Sequence, residues 1–144
     1  MILQKIPSLN LLLLDTHIWL WWLLGSNRLD AKTIDILDNR ALNQEIIISI
    51  MNIWELEILV RKRKVNLNLS FDDWVQQSAN SQSFQIIPLT LPIILGQRLL
   101  PESFHQDPAD KLITSTAIVS GYELATRDKL IIDSEACSIW NFKD

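Results

Sequence analysis

LLLLDTHIWLWW, Leu11 to Trp22, is the stretch from which the rest of the chain is read. Four consecutive leucines run straight into Asp15, and the residues beyond His17 are again apolar. A short apolar run bounded by polar residues fits a strand covered on both faces, as in a parallel sheet, although periodicity by itself leaves a helix open. Read as a strand, it delivers Asp15 at its carboxyl end, the edge of an open α/β sheet where ligands bind. Ile18 to Leu24 then reads as a helix that is apolar all round, stopped by Gly25, Ser26 and Asn27, and such a helix needs cover on every side.

With Lys5 ahead of it, the same stretch superficially resembles a leader or a membrane span. Asp15 and His17 interrupt it, leaving nothing close to the roughly 18 to 20 apolar residues a span requires. No small-residue cleavage site follows Leu24, so neither secretion nor insertion is expected. A chain of 144 residues has the size of one domain, taken as residues 1–144, and can bury a substantial core. Its 48% hydrophobic and 21% charged residues place it among soluble globular proteins. One cysteine, Cys137, excludes an intrachain disulfide and fits a reducing, cytoplasmic setting. The formal net charge of −4 offers no global attraction for nucleic acid, so any such binding needs a local basic patch.

Strand and helix signals alternate along the chain, which argues for a βαβ-type layered α/β fold. Asp30 caps a second helix through about Leu42, with Ile34, Leu37 and Leu42 as its apolar stripe, and Ile46 to Ser49 is a short strand. A helix follows from about Met51 to Lys64. Within it Glu57 pairs with Arg61 one turn on, whereas Glu55 sits on a partly apolar stripe with Met51, Ile58 and Leu59 and needs a counter-charge. Alternatively, Asn52 caps this helix and Glu55 closes a capping box. Arg61, Lys62, Arg63 and Lys64 read either as cations at a helix C-terminus or as a phosphate-contacting patch. Ser70 caps a helix from Phe71 to about Ala79, Phe84 to Leu89 is a strand, and Pro92 opens a helix through Leu100.

In FHQDPADKLITSTAIVSG, Asp107 suits the N-cap, Pro108 the first helical position and Asp110 the third, with Gly121 as the stop. Tyr122 to Thr126 is the last strand, and Asp128 lies just past its end, as Asp15 does at the first. Each aspartate alone has a structural reading as a cap or a turn residue. Jointly, Asp15, Asp110 and Asp128 fall on one edge of a parallel sheet. Carboxylates gathered there repel unless a cation is present, and the natural one is hard and oxygen-liganded, Mg²⁺ or Mn²⁺. Cys137, His17 and His105 are isolated and make no zinc pattern.

LLLLDTH, ISIMNIWELEI, HQDPADKLITSTA and ELATRDKLI, in that order and at that spacing, resemble the PIN-domain ribonucleases, and within them the VapC-type toxins of bacterial toxin–antitoxin pairs. The resemblance implies a three-layer α/β/α domain with a mainly parallel sheet. The family's four acids fall on Asp15, Glu55, Asp110 and Asp128, which it implies are catalytic and hold the metal, Mg²⁺ or Mn²⁺. Thr126, in the TxD pattern, matches the hydroxyl residue that supports the site. Implied partners are an RNA substrate, a small antitoxin protein and a second copy of the chain. Arg61, Lys62 and Lys111 are candidate phosphate contacts. Ala109, Lys111 and Thr116 depart from the family's usual aromatic, arginine and glutamine, which bears on substrate contacts more than on the metal site.

Other classes fit less well. A haloacid-dehalogenase-type phosphatase needs a second acid two residues after the first, where this chain has His17. A phosphate-cradling nucleotide binder needs a Gly-rich loop, and the chain has three glycines in all. A PIN-like module that binds RNA or a partner without cutting is the remaining alternative, and the presence of all four acids argues against it. Trp19, Trp21 and Trp22 read as core, with a dimer seam or an antitoxin groove as the other reading.

Overall fold

The computed structural model describes residues 10–142, so Lys5, the flank of the leader-like reading, lies outside them. Four strands, β1 (Leu12–Leu14), β2 (Ile46–Ser49), β3 (Gln85–Ile87) and β4 (Glu123–Ala125), form one sheet in the order β3-β2-β1-β4. Every pairing is parallel, with Leu13 opposite Ile47 on one side and Leu124 on the other. Leu12 to Leu14 of the leucine run are therefore an interior strand, fully buried because both faces are covered. Leu12 and Leu14 join Ile46, Ile48 and Ala125 in one core cluster, while Leu13 joins Ile47 and Leu124 in the other. That two-residue alternation is the strand period, and it divides the helices into two layers.

The helices are α1 (Thr16–Leu23), α2 (Ala31–Leu42), α3 (Ile50–Arg61), α4 (Phe71–Ala79), α5 (Leu91–Gly96), α6 (Pro108–Ser120) and α7 (Lys129–Ser134). Asp30, Ser70 and Asp107 cap α2, α4 and α6 as expected, and Gly121 ends α6 in the left-handed conformation. Among these residues no helix is long and apolar enough to cross a membrane.

Several expectations need correction. The first helix begins at Thr16 because Asp15 caps it, and it is not covered all round: Trp19 is buried edge-on against Trp74 and Phe84, while Trp21 and Trp22 are half-buried. Leu42 is 82% exposed. Five residues on from Leu37 it lies about 140° round the helix, and Ala41 takes the core position instead. The strand expected from Phe84 to Leu89 is trimmed by Pro88, which lacks an N–H for the ladder. The helix after Pro92 tightens at Gln97–Leu99 into a 3₁₀ turn. The third helix ends at Arg61, and Arg63 turns the chain with φ +58°, so Lys62 to Lys64 lie beyond the helix.

The cap of α3 also differs. Ser49 is the N-cap, accepting from the Met51 N–H, and Asn52 at the third position accepts from the Ser49 N–H through its side-chain oxygen. Asn52 is fully buried, and its amide donates to the Leu14 carbonyl at 3.2 Å and to Thr16 Oγ1 at 2.9 Å. One side chain thus ties the end of β1 to the start of α1 and of α3. Asn52→Ala strands the Ser49 N–H and the Leu14 carbonyl away from water and is expected to cost about 2 to 4 kcal/mol of unfolding free energy, read by urea denaturation. An unchanged midpoint would mean that this tie contributes nothing.

Candidate active site

The carboxyl edge of a parallel sheet is where chains leave strands and enter helices, and here it collects four acids. Asp15 ends β1 and caps α1, Asp128 follows β4 and caps α7, and Asp110 lies in the first turn of α6. These three sit at helix N-termini, where the backbone dipole favours negative charge. Glu55 reaches the same place from the second turn of α3, which the Ser49 cap starts at the end of β2.

The acids are fixed in place by short bonds. Asp15, 6% exposed, accepts from the Thr16 N–H at 2.8 Å on one oxygen and from the Thr126 hydroxyl at 2.7 Å on the other. Thr126 in turn accepts from the Asp128 N–H at 3.0 Å, so one hydroxyl joins the ends of β1 and β4. Thr16 accepts from Asn52 and donates to Glu55 Oε1, which makes a buried chain from the sheet to the fourth acid. His105 Nε2 lies 2.7 Å from Asp110 Oδ2, its ring stacked on Phe104 at 4.5 Å.

Ligand atoms of Asp15, Glu55 and Asp110 lie within 4.8 Å of one another, as do those of His105, Asp110 and Asp128. Asp110 belongs to both groups. Among the described residues, no lysine or arginine forms an ion pair with any of the four acids. Burial raises all three of the first group. It pushes Glu55 up to about 7, against a Thr16 hydrogen bond and with Asp15 and Asp110 adding repulsion, and it pushes Asp110 up to about 6, with His105 opposing. Asp15 is also raised, by burial first, with its bonds to Thr126 and Thr16 opposing. An all-oxygen set whose members resist ionising beside one another is a fitting seat for a hard dication.

The shifts carry a pH prediction for metal-free protein. An acid whose folded pKa exceeds its unfolded value binds more protons when folded, so its contribution is present at low pH and is lost as pH rises through the folded pKa. For Glu55 and Asp110 that window runs from about pH 4 to about pH 7. Both groups are partly exposed and screened, so the expected loss is on the order of 2 kcal/mol. Urea midpoints in a chelator across this range should fall. A rise would contradict the buried acid cluster.

Of the residues anticipated from sequence, the structure gathers Asp15, Glu55, Asp110, Asp128 and Thr126 at one place. Lys111 follows Asp110 and donates to Gln106 at 2.8 Å. Arg61 is paired with Glu57 on the exposed end of α3, and Arg61 and Lys62 lie about 10 Å along the helix axis from Glu55. Ala109 and Thr116 are buried, so among the three departures only Lys111 reaches solvent. His105, isolated in sequence, is not isolated in space. Thr16 and Asn52 belong to the site as well. Thr16 follows Asp15 directly, and Asn52 stands three residues after Ser49, the same capping-box spacing that Glu55 has from Asn52.

Residues 12–133 match the PIN domain family. The chain belongs to the PIN-domain family. This PIN domain is 30% identical over 117 residues to Ribonuclease VapC22 of Mycobacterium tuberculosis, covering 81% of this chain and 86% of that protein. Two solved structures share its fold. FitAcB from Neisseria gonorrhoeae superposes with a TM-score of 0.66 at 20% identity, covering 92% of this chain and 99% of that one. VapBC2 from Rickettsia felis, solved bound to a DNA fragment from their promoter, gives 0.68 at 19% identity, covering 91% and 98%. The PIN domain thus has the parallel-sheet architecture that its first stretch implied.

Proposed function

We propose that the protein is an endoribonuclease that uses Mg²⁺ or Mn²⁺ to hydrolyse RNA phosphodiester bonds, and that it is the toxin of a toxin–antitoxin pair. The observation that carries this reading is Asp110's membership of two overlapping ligand groups, which puts four acids around one small volume. The relative named a ribonuclease, at 30% identity, supports the reaction class.

A divalent ion held there supplies activation of water for attack on phosphorus and stabilisation of charge on the leaving oxygen. The chain's own part is to hold and orient. Asp15, Glu55 and Asp110 provide one oxygen set, and Asp128 with Asp110 provides the flanking position. Thr126 and Thr16 fix the carboxylates of Asp15 and Glu55, and His105 fixes Asp110. The hydrogen bonds on both Asp15 oxygens limit its rotation, so its geometry is set before any ligand arrives. Lys111, next to Asp110, is one phosphate contact, and Arg61 and Lys62 serve a strand that continues along α3.

The same reading makes residues 1–144 one functional unit, cytoplasmic and dimeric, neutralised by a cognate antitoxin protein. Sequencing the RNA ends produced during brief expression in cells tests it. New ends concentrated at a defined site, absent when the Asp110→Asn variant is expressed, are the expected result. An RNA population indistinguishable from that of uninduced cells would refute it.

A further inference from the structure

A recess of about 170 Å³ opens beside the acid cluster, lined by Asp15, His17, Ile18, Trp21, Arg127 and Asp128. Two of the four acids form its wall, so whatever occupies it lies against the reacting centre. The rest of its lining has another character. Trp21 is half-buried and ring-forming, with the exposed His17 ring 5.9 Å away and tilted by 55°. The Arg28 guanidinium lies 5.6 Å from the Trp21 ring centre. Arg127 donates to the Arg28 carbonyl at 2.8 Å and rests 4.5 Å over the Phe142 ring.

Core packing takes all of Trp19 but only part of Trp21, whose remaining surface lines the acidic recess together with Arg127. We propose that this recess seats one nucleobase of the RNA beside the bond that is cut, with Trp21 and His17 as its ring platform and Arg127 as the contact for the adjoining phosphate. The proposal rests on the ribonuclease reading and adds a determinant of where cleavage falls. The volume is below the roughly 300 Å³ at which drug-sized pockets begin, which suits one planar ring rather than a whole nucleotide. Aromatic faces accept any base by stacking, and an arginine beside them adds charge for the backbone. An acidic peptide would pack on the indole but bring its carboxylates against Asp15 and Asp128, whereas a nucleobase ring carries no charge.

The test uses the full chain with Mg²⁺ or Mn²⁺ and a short RNA whose cleaved bond has been mapped. Loss of one stacked base corresponds to about a 5- to 140-fold weakening. Trp21→Leu should therefore raise KM by about that factor with a smaller change in kcat, and Trp21→Phe should restore most of it. An RNA with an abasic ribose next to the cleaved bond should lose the same factor on the wild type and little more on Trp21→Leu, because one contact cannot be removed twice. Arg127→Gln, at an exposed position and so not dependent on refolding a core, should raise KM and lower the salt slope by about 0.7. Unchanged KM and cleavage position in both Trp21→Leu and Arg127→Gln would overturn the seat while leaving the ribonuclease reading intact, as would losses that simply add for every abasic position. A wild type that cuts no RNA would remove the parent reading and the seat with it.

Discussion

Asp110→Asn is expected to lower metal-dependent RNA cleavage by at least about a hundredfold, the scale on which removing a single group that stabilises a transition state is felt. Asp110 is the most connected acid of the site: it belongs to both ligand groups, contacts His105, and contributes repulsion that helps raise Glu55. The substitution keeps size and shape and leaves the Asp107 cap on the Asp110 N–H untouched, so loss of fold is not the expected cause. Initial rates on one RNA with equal amounts of wild type and variant decide the matter. Activity surviving in the variant would remove Asp110 from the catalytic assignment.

Mg²⁺ or Mn²⁺ at about a hundred times its dissociation constant should stabilise the folded protein by about 2.7 kcal/mol. For a domain of this size that corresponds to roughly 5 to 10 °C in melting temperature. The reason lies in what the metal-free site lacks. Asp15, Glu55 and Asp110 are buried against one another, are all raised by that burial, and have no lysine or arginine partner among the described residues. An ion removes the repulsion and binds the folded state only. In Asp15→Asn/Asp110→Asn most of the rise should vanish, while the metal-free melting temperature stays at or above that of the wild type, because amides carry no buried charge. Equal rises in wild type and variant would locate the bound metal elsewhere. This measurement needs no substrate, so it tests the site independently of the reaction.

The failures of local reading share a cause. Leu42 carries the right residue type but falls off the helix face that Leu37 and Ala41 define. A cap at Asn52 falls three residues late because Asn52 and Ser49 are both good cap types, and only the position of β2 decides that the strand hands over to the helix at Ser49. α7 has no signal of its own in the sequence, because its six residues are too few for a helical period to emerge.

The sequence by itself pointed to the parallel sheet, since an apolar strand without alternation needs cover on both faces, and it placed Asp15, Asp110 and Asp128 at strand ends and helix starts, since those positions follow from local chain direction. Only the tertiary structure decided what lies across the gap from each acid. Thr16 against Glu55 and Thr126 against Asp15 are contacts between side chains brought together by strand order and helix entry, with partners 39 and 111 positions apart, while His105 reaches Asp110 across the turn into α6. The tertiary structure likewise split the tryptophans of the opening stretch, turning Trp19 into the core and leaving Trp21 at the rim of the recess beside Asp15. Burial is a property of neighbours, and a residue's neighbours across a sheet are not written in its own segment.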